Sequence, residues 1–177
     1  CFTCINRTSP NIIESHLPGY IQFGQLGQKL NSEAESMVRT FETAGVRVER
    51  AESLEEALWH KLCWNIPFNG IAIAAGGITT DLILANPDHK KRAHALMQEV
   101  RMIALSHGIS IEHSFLTRQF ELTEPMGPYK PSSLVDFLDD KPVEVEAIWG
   151  EALRRGRAKG VRINELERLY CELVELC

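Results

Sequence analysis

Apolar and polar positions follow two different rhythms along the chain, and the change falls near residue 51. Before it, CFTCINR (1–7), IIESHL (12–17) and YIQFGQ (20–25) are strand-length runs, separated by turn signals at SPN (9–11) and LPGY (17–20). Gly24 and Gly27 loosen the next connection. Asn31 or Ser32 is placed to cap a helix through EAESMVRTFETA, and Gly45 stands where a glycine in the left-handed conformation ends one. VRVER, with Val46 and Val48 alternating, predicts a fourth strand. Strand, helix and strand within about thirty residues make a βαβ unit. Residues 1–50 are therefore expected to be the tail end of an α/β sheet.

From residue 51 the strand signal is gone. Ser53 can cap a helix through LEEALWHKLCWN. Pro67 has no N–H for the carbonyl of Cys63, which predicts a kink or break there. AAGGITT (74–80) predicts a loop, and Asn86-Pro87 opens a helix that runs through Met97, Val100, Ile103 and Ala104 to Gly108. Residues 114–122 are expected to be helical, EPMGPYKPSS (124–133) a turn-rich loop, and SSLVDFLD a short helix. Lys141-Pro142 is expected to start a helix closing at Gly160, and Asn164 to cap the last one, ELERLYCELVEL. The expected fold is mostly α: a small α/β portion (1–50), then an all-helical domain (51–177).

Composition narrows the partners. The chain has 177 residues, 44% hydrophobic and 24% charged, enough for one substantial core and part of another. A net charge of -5 gives no footprint for nucleic acid; the one basic stretch, RRGRAKG (154–160), sits among acids and is expected to be a solvated helix end. The apolar runs are too short to span a bilayer, and no signal peptide opens the chain. A start at Cys1 rather than Met suggests a piece of a longer protein. Five cysteines, an odd count in a chain of this size, predict reduced thiols and a cytoplasmic setting. Cys1 and Cys4 would face opposite sides of a strand, so no metal site is expected there.

Two polar sets remain. In KLCWNIPFN (61–69), Lys61, Asn65 and Asn69 recur every four residues and share one face of a helix. That face is either solvated or a polar track for a small oxygen-rich molecule. The second set is Ser132, at the end of a proline-braced loop, and Glu144, soon after Pro142. Taken alone, those two are read first as a helix cap and a carboxylate favoured by a helix dipole. Taken together, an ammonium, two amides, a hydroxyl and a carboxylate suit a small keto acid: the neutral groups hold its oxygens, and the ammonium polarises the carbonyl and donates a proton.

The order K-L-x-x-N-x-x-x-N, then Y-K-x-S-x-x-x-D, then P-x-E-x-x-x-I-x-G resembles the C-terminal half of the ketopantoate reductases. The resemblance covers nearly the whole chain. It implies that residues 1–50 end a Rossmann-type nucleotide-binding domain and that 51–177 form a helical substrate domain. It implies reduction of 2-dehydropantoate to pantoate with NADPH, on the route to pantothenate and coenzyme A, or of another 2-keto acid on the same fold. It gives Lys61 the catalytic role, with Glu144 in support, and makes Asn65, Asn69 and Ser132 substrate-binding, all facing a cleft between domains. Thr79 stands where some members have a third substrate asparagine, and Trp149 where an asparagine often precedes the final glycine. No G-x-G-x-x-G follows a strand and opens a helix, so the chain alone is expected not to be a competent reductase. The alternative outside enzymology is a helical interaction module; the apolar last helix is where a homodimer would pair.

Overall fold

The computed structural model describes residues 2–177, and the protein is mostly helical. It divides into two compact units, Cys1–Lys61 and Leu62–Cys177. In the first, strands β1 (Phe2–Ser9) and β2 (Ile12–Phe23) pair antiparallel, and β2 pairs parallel with β3 (Val48–Arg50) across helix α1 (Ser32–Thr43). This is the expected βαβ unit. The expected turn at LPGY is not there, because β2 runs through it. The pairing register explains why: Phe2 faces Tyr20 and Cys4 faces Leu17, so two steps on β1 oppose three on β2, and the irregularity absorbs Pro18 and Gly19. The expectation for Cys1 and Cys4 lies outside the described residue and side-chain positions.

Helix α1 starts as expected. The Asn31 side-chain oxygen accepts the Ala34 N–H at 2.9 Å, and Gly45 follows the helix with φ of 78°. Helix α2 (Leu54–Ala74) opens on Ser53, whose hydroxyl oxygen accepts the Glu56 N–H at 3.1 Å.

Pro67 does not break α2, contrary to the expectation from sequence. Proline inside a helix costs about 3 kcal/mol. Cys63, Ile66, Phe68, Ile71, Ala72 and Ile73 are all buried. A buried aliphatic or aromatic side chain contributes about 1.5–3 kcal/mol, so burial around the whole circumference outweighs the proline.

The other helices of the second unit are α3 (Thr80–Ala85), α4 (Pro87–Ser106), α5 (His113–Thr123), α6 (Ser132–Leu138), α7 (Glu151–Ala158) and α8 (Asn164–Leu176). The sequence pattern carries no signal for α3. Leu96, Met97, Val100, Ile103 and Ala104 of α4 share the core with Leu166, Leu169 and Leu173 of α8.

Two expected helix starts move. Lys141 belongs to the end of α6: Asp140 has φ of 53°, and the Lys141 N–H turns back to the Asp136 carbonyl at 2.9 Å. The next helix therefore starts later, its first bond running from Ile148 N–H to the Glu144 carbonyl at 3.0 Å, and it opens with a π-helical turn at Glu146–Gly150. Asn164 does not cap α8. Ile163 holds that position, and Glu99 of α4 supplies the acceptors, taking the Glu165 and Leu166 N–H groups at 3.0 and 2.8 Å. Among the described residues no helix is long and apolar enough to cross a membrane, and Cys63, Cys171 and Cys177 are free thiols.

Candidate active site

Helix α2 carries three of the candidate residues, and their exposure falls along it: Lys61 is exposed, Asn65 half-buried, and Asn69 fully buried. A solvated face would not swallow its last amide, so Asn69 does not face bulk water. Asn69 uses its two ends differently. Its side-chain oxygen accepts the Ser133 N–H at 2.8 Å, across 64 residues of sequence. Its Nδ2 is buried and makes no hydrogen bond. A buried N–H without an acceptor costs about 1–3 kcal/mol.

The Ser133 nitrogen is the one that joins Ser133 to Ser132, so the Asn69 amide holds Ser132 next to α2. Ser132 is the exposed first residue of α6. The loop leading into it is fixed from another side by Thr80, the buried first residue of α3. The Thr80 N–H donates to the Tyr129 carbonyl at 3.0 Å, and its hydroxyl donates to the Gly127 carbonyl at 2.8 Å. Tyr129 is buried against Trp64 of α2, with ring centroids 6.4 Å apart. Trp64 also stacks on Phe68 and donates its indole N–H to the Thr123 hydroxyl at 2.8 Å.

Glu144 is exposed at the entry to the π-helical turn. Its position is one step before the helix rather than inside the first turn. Trp149, five residues on, is fully buried and donates its indole N–H to the Ile66 carbonyl of α2 at 2.9 Å. Thr79 is half-buried and its hydroxyl donates to Asp81, which leaves its oxygen as an acceptor. Asn69 and Ser132 are thus brought together; no hydrogen bond among the described residues joins Asn65, Thr79 or Glu144 to that pair. Sequence reasoning missed Thr80, whose cue was a buried threonine opening a short helix, and the structural task of Trp149. Next to the site, burial pushes the Cys63 thiol up to about 12 against the pull of Arg101, so it is inert as a nucleophile.

Gly24 and the pair Gly76 and Gly77 are not placed as a phosphate cradle. A side chain at Gly24 would lie 2.5 Å from the Ser53 carbonyl oxygen, so that space is filled by the chain itself. Gly76 and Gly77, with φ of 87° and 88°, come after the C-terminus of α2 rather than open a helix after a strand.

A helical unit follows a βαβ piece, and the Asn69 side chain ties its long helix α2 to the start of α6. Comparison with known proteins places this arrangement in a family. A sequence model of the ketopantoate reductase PanE/ApbA C-terminal family matches residues 53–175, and the chain belongs to that family. A 2-dehydropantoate 2-reductase of Nostoc sp. is 32% identical over 178 residues, covering 98% of this chain and 56% of the relative. Among solved structures, the 2-dehydropantoate 2-reductase of Geobacter metallireducens superposes with a TM-score of 0.91 at 31% identity, covering 99% of this chain and 59% of that one. The Methylococcus capsulatus enzyme gives 0.85 at 33%, covering 99% and 61%. The chain thus spans little more than half the length of these relatives.

Proposed function

We propose that the chain is the C-terminal part of an NADPH-dependent reductase that converts 2-dehydropantoate to pantoate, a cytoplasmic enzyme supplying pantothenate and coenzyme A. Residues 1–50 would close its nucleotide-binding domain, and 51–177 form its substrate domain. The observation that supports this best is Asn69: fully buried, its oxygen committed to Ser133 and its Nδ2 left without a partner. A buried amide donor with no acceptor from the protein suits a ligand oxygen.

NADPH, when bound, supplies the hydride, and its phosphates would be held by residues outside those described here. The chain's own residues do the rest. Nδ2 of Asn69, the Asn65 amide and the Ser132 hydroxyl bind substrate oxygens, with the Thr79 oxygen as a further acceptor. Lys61 gives a proton to the keto oxygen as negative charge builds there, which stabilises the transition state more than the ground state. Glu144 is the carboxylate of the set. Two copies pairing through the last helix would be the assembly.

Steady-state kinetics of the full-length protein test the reading. Lys61→Ala is expected to lower kcat on 2-dehydropantoate by roughly 10²-fold, the scale of a lost acid or oxyanion donor. Near-normal kcat in a folded Lys61→Ala variant would remove Lys61 as the acid. A simpler 2-keto acid turned over as fast as 2-dehydropantoate would move the assignment to another substrate on the same fold.

A further inference from the structure

Trp149, the residue before Gly150, faces inward. It is fully buried, and its single polar atom is spent on the Ile66 carbonyl. That carbonyl lies on α2 between Asn65 and Asn69. The indole reaches it because residue 70 is glycine: a Cβ there would come 2.8 Å from Trp149 Nε1 and 2.6 Å from Leu169 Cδ2. A second observation concerns the backbone around the indole. Trp149 sits inside the π-helical turn Glu146–Gly150, and the bond just before it, Ile148 N–H to the Glu144 carbonyl, ties Glu144 to the same turn. Wide turns of this kind are rare and collect at functional sites.

We infer that Trp149 is a positioning residue: its bond to Ile66 sets where the segment bearing Glu144 meets the face of α2 that bears Asn65 and Asn69. The inference rests on the reading that Glu144 belongs to the site. Trp149 itself touches no substrate. It acts by fixing one turn of backbone, as the Asn69 oxygen fixes Ser132 three residues further along α2.

The test uses the 177-residue chain with Trp149 replaced by 3-benzothienylalanine, which keeps the ring outline but has sulfur in place of the N–H. Trp149→Phe serves as the genetic version, and if it fails to fold the isostere decides. Amide hydrogen exchange is followed at Val145 and Ile148, with Val100 in α4 as the reference, and pantoate is titrated against each protein. The expected result is exchange about tenfold faster at Val145 and Ile148 with Val100 unchanged, and pantoate binding about tenfold weaker, the equivalent of one buried hydrogen bond. Unchanged exchange at Val145 and Ile148 overturns the inference. So does exchange that rises equally at Val100, because Trp149 would then be only a core residue. If the unsubstituted chain binds no pantoate while Ile148 still exchanges faster in the isostere, the positioning role stands and the substrate reading fails.

Discussion

Helices α1 and α8 solve the same problem with partners at very different distances. The first N–H groups of any helix have no acceptor within it. In α1 the acceptor is Asn31, three residues before the Ala34 it serves and exposed to solvent. In α8 it is Glu99, which reaches across 66 residues from α4 and holds two N–H groups with two oxygens. Helix α6 resembles α8: the side chain of Pro131 has no acceptor, and Asn69 of α2 takes the Ser133 N–H. A local cap defines where a helix begins. A remote cap also defines what the helix begins against, and the candidate site is built at one of these.

That contrast can be broken by measurement. Glu99→Ala should cost the most, about 3 kcal/mol, because two charge-assisted bonds are lost at a partly buried helix start; urea unfolding of the chain reads it directly. Asn69→Ala should come next at about 1.5 kcal/mol, since it strands the Ser133 N–H but also removes a donor that had no partner. It should weaken pantoate binding besides, which no local cap would do. Asn31→Ala should cost about 1 kcal/mol, the ordinary value of an exposed cap, with pantoate binding untouched. An Asn31 effect larger than that of Glu99 would show that distance in sequence is irrelevant to what a cap contributes.

The smallest effect is in the pH dependence. Burial raises the Glu99 carboxyl above its ordinary 4.5, with the backbone donors of Glu165 and Leu166 pulling the other way. A carboxyl whose folded value is raised contributes stability below its unfolded value and loses it as pH climbs through the folded one. The advantage of the native protein over Glu99→Gln should therefore be larger at about pH 4 than at about pH 7, and a flat difference would mean that the donors cancel the burial.

The same distinction separates what is legible in the sequence from what is not. Asn31, Ser53 and Asn86 act within three residues of themselves, and each helix they open begins where expected. Motif spacing likewise puts Lys61, Asn65 and Asn69 on one helix and Ser132 at the head of another. The misses, Lys141 apart, depend on something distant. Pro67 stays helical because residues from elsewhere bury its neighbours. Asn164 has the chemistry of a cap but stands inside the helix, since Glu99 already fills the role. Lys141 looks like the start of a helix because its N–H bond to Asp136 leaves no mark in the local pattern. Trp149 looks like a departure from a motif, and only the carbonyl of Ile66 reveals its use.

The π-helical turn at Glu146–Gly150 carries one more consequence. An α-helix advances about 100° per residue, so a turn that holds one residue more than the regular repeat acts as a phase shift between the residues before it and those after it. The apolar stripe of α7, with Ala152, Leu153 and Gly156 against the core, keeps its own phase, and Glu144 keeps another. Winding all five residues 146–150 at the regular repeat, with none removed, would undo that shift. The stripe would hold its place, because its burial is what fixes it, and Glu144 would swing about a quarter of a circle to look along a different line.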